Sequence, residues 1–169
     1  MVFKTIGGSV FIQNVPAFLK ELAAISSSCN TTVQAMDSDK IAGENHIGFA
    51  VEKALRAMEN ELNIARDTGV EIMRYASGKR QIEEAFSMGV REGEMNVVFV
   101  VLGEAEKVDI AIKDLANLIE EKPVVAYSEI KNKALFTQFS ITEQEIAAAG
   151  KDRIPQLVLE RIALVDILK

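Results

Sequence analysis

Two spacings of apolar residues alternate along this chain, and an element begins or ends where one gives way to the other. Residues 2–6 and 10–12 are short runs rich in β-formers. Gly7-Gly8 between them predicts a hairpin, because glycine takes the positive φ of a tight turn without strain. From Val15 to about Ser26 the spacing becomes helical, with Phe18, Leu19, Leu22 and Ile25 on one face, Asn14 as cap and Pro16 in the first turn. Residues 31–36 predict a strand, and 37–42 one helical turn closed by Gly43. The longest amphipathic helix follows, from about Asn45 to Leu62, burying Ile47, Ala50, Val51, Ala54, Leu55, Met58 and Leu62. Its other side carries Glu52, Lys53, Arg56, Glu59, Asn60 and Asn63. Residues 70–76 predict a strand, and Ser77 caps a helix with Ile82, Ala85 and Phe86 facing in.

The nearly all-apolar run 95–102 predicts a central strand covered on both faces. Residues 105–119 form another amphipathic helix, with Val108, Ala111, Ile112, Leu115 and Ile119 inward. Beyond it the pattern is helical. A helix starts at Ser128, and Thr142 to Glu145 spells a capping box with Ile141 and Ile146 spaced as a hydrophobic staple. The last helix runs from Ile154 to Leu168. The sum is one mixed α/β (α+β) domain over residues 1–169: a sheet of about five strands flanked by helices, then an all-helical C-terminal part.

Composition narrows the chemistry. With one cysteine, Cys29, and one histidine, His46, neither a thiolate cluster nor a multi-histidine metal site can form. No signal peptide and no membrane span are legible, which predicts a cytoplasmic protein. The net charge of −6 argues against general nucleic-acid affinity. The acidity is uneven: residues 1–43 are neutral, 44–91 carry −1 and 92–169 carry −5. Five of the seven arginines lie between Arg56 and Arg91, so a local basic site remains open.

Four features are candidates for function. Ser77-Gly78-Lys79-Arg80 places two cations at an expected helix N-terminus, where a phosphate would bind; the plain alternative is two solvated side chains. Lys53, Arg56, Asn60, Asn63 and Arg66 line one polar face, which either meets RNA or is an ordinary solvated surface with pairs such as Glu52 and Arg56. His46 either stacks on a base, acts as a general base or is a plain structural histidine. The last helix is apolar on two sides. Ile154, Leu157, Val158, Ile162, Leu164, Val165 and Leu168 share one face, and Leu159, Ala163 and Ile167 the other. The second stripe is covered either by this chain or by another protein.

The stretch from His46 to Phe86 carries a resemblance. His46 with its Ala/Leu helix, Asn63-Ile64-Ala65, Val70-Glu71-Ile72, Tyr75-Ala76-Ser77-Gly78 and Arg80-Gln81-Ile82 closely resemble the kinase-binding regulatory subunit of the KEOPS complex, also described as the PRPK-binding protein family, in its archaeal form. The resemblance extends over most of the chain. It implies a non-enzymatic subunit without cofactor or metal that binds and activates the small atypical kinase/ATPase subunit. It also implies recruitment of transfer RNA by its 3′ CCA end, for threonylcarbamoyladenosine synthesis by a separate transferase subunit reached within the complex. Mapped onto this chain, the RNA face is His46, Arg56, Asn63, Arg66, Arg74, Tyr75, Lys79, Arg80 and Gln81, with His46 and Tyr75 as stacking groups. The kinase contact is Leu159, Ala163 and Ile167. The alternatives are an α/β binding module for a small anionic ligand or nucleotide and, behind it, an enzyme; no phosphate-binding loop or metal-ligand cluster is legible for the latter.

Overall fold

A computed structural model describes residues 1–167 of the chain. In chain order its strands and α-helices are β1 (Val2–Ile12), α1 (Val15–Cys29), β2 (Thr32–Asp37), α2 (Glu44–Glu59), α3 (Thr68–Ser77), α4 (Ile82–Ala85), β3 (Gly93–Gly103), α5 (Ala105–Ala116), β4 (Glu120–Glu121), α6 (Asn132–Phe139), α7 (Glu143–Ala149) and α8 (Ile154–Ala163). Short 3₁₀ turns join several of them, the last over Val165–Ile167. The class is mixed α+β, as expected. Backbone contacts gather into two compact units, residues 1–38 with 89–124, and 39–88 with the chain from 125 onward.

The first unit is an antiparallel sheet of order β2-β3-β1-β4 with α1 and α5 packed on it. The expected hairpin does not form. Residues 2–12 are one continuous strand, paired with β3 from Val2 opposite Gly103 to Ile12 opposite Gly93. The glycine at position 8 has a different reason: a Cβ there would lie 2.1 Å from the Glu120 carbonyl oxygen of β4. Close approach of a neighbouring backbone, not a turn, excludes a side chain. Among the described residues the strands therefore number four, not about five. β3 is central and buried on both faces from Val97 to Leu102, as its apolar run predicts. Met95, Val97, Phe99 and Val101 pack with Phe18 and Leu22 of α1 and with Val108, Ala111 and Leu115 of α5. Asn14 caps α1 by accepting from the Ala17 amide.

The second unit is helical. α2 buries Ile47, Ala50, Val51, Ala54 and also Ala57, but it stops at Glu59, short of the predicted Leu62. Leu62 N–H bonds to Ala57 O and Glu61 N–H to Met58 O, with Glu61 at φ 57°, the paired bonds of a Schellman end. Leu62 is thereby thrown out to 73% exposure.

The stretch 70–76, expected as a strand, is the body of α3. Asp67 caps it by accepting from the Val70 amide, and Gly78 ends it at φ 70°. Glu71 to Ser77 are all buried, so no polar face marks the helical period in the sequence. Ser77-Gly78-Lys79-Arg80 consequently closes a helix instead of opening one. Ser77 is the last residue of α3, and Lys79 and Arg80 lie beyond its C-terminus, where the helix dipole favours cations. The expected anion site at a helix N-terminus is thus overturned. Phe86, expected inward, is 57% exposed, and Met88 is buried in its vicinity instead.

The capping box at Thr142 and Glu145 forms as read. α8 buries Ile154, Leu157, Val158 and Ile162, and Val165 follows them inward. Leu164, expected on that face, is 44% exposed. Leu168 lies outside the described residues. Among those described, no helix is long and apolar enough to cross a membrane, and no cluster of three metal-ligating side chains forms.

Candidate functional site

In the helical unit a groove of about 380 Å³ opens between the C-terminal half of α2, the loop after it, α3 and the terminal turn. Lys53, Arg56 and Asn60 reach it from α2 and the residue after its end, because they share the polar side of an amphipathic helix. Leu62 and Ile64 line it from the loop, and both are exposed apolar side chains. Arg74 and Tyr75 form the floor, Arg80 enters from beyond the end of α3, and Val165 and Asp166 come from the last turn. A smaller depression of about 190 Å³ shares Ile64 and Arg80 with the groove and adds Gln81 and Ile82.

The floor is a buried charge network. Glu71 and Arg74 stand one turn apart on α3, at 0% and 2% exposure. Arg74 Nε donates to Glu71 Oε1 at 2.5 Å and Nη2 to Oε2 at 3.2 Å. The remaining lone pairs of Glu71 accept the amides of Ile64 and Ala65, which fixes the loop lining the groove. Arg74 Nη1 donates to the Arg80 carbonyl at 3.1 Å, which fixes the segment after α3. Its guanidinium lies 4.5 Å from the centroid of the Tyr75 ring. Burial alone would lower the Arg74 pKa, but the hydrogen bonds and charge of Glu71 outweigh it and raise it. Arg74 is thus a support that holds both walls, with its cation already neutralised.

Tyr75 is 2% exposed, and its hydroxyl donates to Asp166 Oδ1 at 2.5 Å. Burial, and then Asp166, push its pKa up to about 12. Lys53 pairs with Asp166 Oδ2 at 2.9 Å and sits 5.6 Å and 5.7 Å from the Phe49 and Tyr75 ring centroids. Burial tends to raise the Asp166 carboxyl, but the Tyr75 hydroxyl and Lys53 outweigh it and hold it below the ordinary value. Arg56 pairs with Glu52 at 2.9 Å on a largely exposed surface, a contact worth only a few tenths of a kcal/mol, about 0.3–0.5. Arg56 and Arg80 are therefore the cations a ligand can take over most easily, and Arg80 is exposed.

The sequence-predicted residues divide. Arg56, Arg74, Tyr75 and Arg80 meet in the groove, and Gln81 joins Arg80 in the adjoining depression. Asn63 donates its amide to the Ala65 carbonyl, a local loop bond, and Arg66 is exposed outside the groove. Lys79 is half-buried and does not line it. His46 is not at a surface: it is 1% exposed. Its Nδ1 accepts the Ala42 amide at 2.9 Å, so Nε2 carries the proton and donates to the Ala76 carbonyl at 2.8 Å. The ring meets Phe139 edge-on at 5.5 Å. Burial above all, with the charge of Lys131, lowers its pKa to about 4 despite the Ala76 bond. A neutral histidine sealed this way ties α2 to α3 and stacks on no base. Tyr75 likewise presents no free ring face, because Arg74 covers it and its edge is buried.

Sequence reasoning missed Leu62, Ile64 and Asp166. The first was read as part of the buried stripe, and nothing local places Asp166, 91 residues from Tyr75, beside it. A larger groove, about 580 Å³, runs along α6 and α7, but its charged residues are Glu129, Glu143 and Lys151, an acidic balance that repels anions. The last helix ends at Ala163, short of its predicted end, and Ile167 stands on the 3₁₀ turn after it; of the expected outward stripe, Leu159 is half-buried, while Ala163 and Ile167 are exposed, Ile167 at 68%.

Comparison with known proteins agrees in direction. Residues 10–166 match the family model described as kinase binding protein CGI-121. The regulatory protein Cgi121 of Methanocaldococcus jannaschii is 28% identical over 137 residues, spanning 80% of this chain and 84% of that protein.

Proposed function

The chain belongs to the CGI-121 family of kinase-binding proteins, and on that footing we propose that it is a non-catalytic regulatory subunit of a KEOPS complex. In this reading it binds and activates the complex's small atypical kinase/ATPase subunit. It also captures the single-stranded 3′ CCA end of transfer RNA for threonylcarbamoyladenosine synthesis by the separate transferase.

The groove carries the RNA half of the reading. Arg56, on α2, and Arg80, beyond the end of α3, offer charge to phosphates, and exposed Leu62 and Ile64 offer an apolar surface to unstacked bases. The site is short and set in an acidic protein, which suits a few nucleotides of single strand better than a duplex. His46, Arg74 and Tyr75 leave the proposed contact set and become its scaffold. Arg56, Arg80 and Gln81 remain, Lys53, Leu62 and Ile64 join, and Asn63, Arg66 and Lys79 flank it. The kinase half rests on the exposed stripe Leu159, Ala163 and Ile167.

A volume of about 380 Å³ is also that of a small-ligand site, which favours the second reading, a module for a free anion or nucleotide. Binding of transfer RNA with and without its CCA end separates the two. We expect affinity to fall at least tenfold, roughly the worth of one or two stacked bases, when the tail is removed. Arg56→Glu with Arg80→Glu should cost as much for the intact RNA. Equal affinity for both RNAs, with stabilisation by free nucleotide alone, would establish the second reading.

A further inference from the structure

Asp166 is the one carboxylate lining the cationic groove among the described residues. A bare phosphate site gains nothing from an acid in its lining. Here the acid neutralises Lys53, which sits at 15% side-chain exposure, while its own side chain stays 53% exposed. An ionised carboxylate has about four lone-pair sites. The Tyr75 hydroxyl takes one and the Lys53 ammonium another, which leaves acceptor capacity facing the groove. The two bonds also fix the carboxylate plane, so it reads a ligand from a set position. Arg56, Asn60 and Arg80 line the same groove with donors, and Leu62 and Ile64 provide the surface on which a base would rest.

We infer that Asp166 is a specificity-determining residue of this groove, selecting nucleotides whose base carries an exocyclic amino group. Cytosine and adenine present such an N–H₂ donor on the Watson–Crick edge; uracil presents a carbonyl oxygen there, which a fixed carboxylate repels. The same carboxylate competes with any phosphate for Lys53, so it lowers the affinity of the groove for anions that bring no base. Selectivity is obtained by penalising the wrong ligand as well as by contacting the right one. This inference rests on the RNA reading above, and it adds which residue of the groove chooses the base and by what contact.

The test uses the full chain with two single-stranded oligonucleotides of equal length and phosphate count, one ending in CCA and one in UUU, together with inorganic pyrophosphate. The wild type should prefer the CCA strand roughly tenfold, the scale of one good hydrogen-bonded base contact. Asp166→Ala should abolish that preference and tighten pyrophosphate, with thermal stability as the control for folding. A preference that survives Asp166→Ala unchanged overturns the inference and leaves the RNA reading standing, as does equal binding of both strands by the wild type. Binding of neither strand by the wild type overturns the RNA reading and this inference together.

Discussion

Charge at single positions in this protein is decided by what surrounds it. Arg56 and Arg74 are both arginines in or near one basic stretch, yet one is solvated and the other is spent on Glu71 and the Arg80 carbonyl. Removing either member of the Glu71–Arg74 pair would leave a buried charge uncompensated, so loss of RNA binding in such a variant would report unfolding of the walls, not a lost contact. His46 gives the sharpest prediction at this scale. Its folded pKa of about 4 lies below the ordinary 6.5, so the unfolded chain binds the extra proton first as pH falls. The stability it contributes is complete above about pH 6.5 and is lost as pH falls toward about 4. Between about pH 7.5 and about pH 5 that loss should reach about 2 kcal/mol. Urea unfolding of the wild type and of His46→Gln at both pH values measures it, since carboxylate contributions are common to the two proteins. The same pH dependence in both would show that the imidazole does not titrate as its burial requires.

At the scale of elements, the helices with one wet side were legible and the fully buried one was not. α1, α2, α5 and α8 each show an apolar stripe, and Asn14 and Thr142 announce their helices with caps that form as read. α3 has no wet side from Glu71 to Ser77, and its Val, Ile and Tyr suggested a strand. Asp67 and Gly78, a cap and a left-handed stop, were the signals that could have corrected it. Gly8 was misread for a related reason. A glycine that admits β4 and one that makes a turn are identical in sequence, and only the Glu120 backbone, 2.1 Å from where a Cβ on Gly8 would stand, tells them apart. The terminal segment carries the prediction here. Val165 is fully buried and Ile167 is 68% exposed, two residues apart on one turn. Ile167→Asp should leave the melting temperature unchanged and abolish co-purification with the kinase subunit. Val165→Asp should unfold the protein, because it buries a charge without a partner. Retained kinase binding by Ile167→Asp would move the partner surface elsewhere.

For the whole molecule, net charge and local charge make different demands. A chain at −6 repels nucleic acid at long range, so the proposed RNA binding would have to come from the few cations that face one groove. With two cations that a phosphate can readily take over, Arg56 and Arg80, the affinity for a single strand should fall with salt at a log–log slope of about −1.4, and a fourfold rise in salt should cost roughly sevenfold. A titration series at several salt concentrations reads it, and a slope steeper than about −5 would demand a duplex-sized footprint that this groove does not offer. The sequence by itself determined the amphipathic helices, their caps, the buried central strand and the segment in which the arginines gather. These depend on neighbours within a turn or two along the chain, which the spacing records. Only the tertiary structure decided that His46 and Arg74 are turned inward, that Leu62 and Ile64 are turned out, and that Asp166 arrives beside Tyr75, 91 residues away along the chain. Exposure and pairing are set by contacts between distant segments, and those leave no period in the sequence to read.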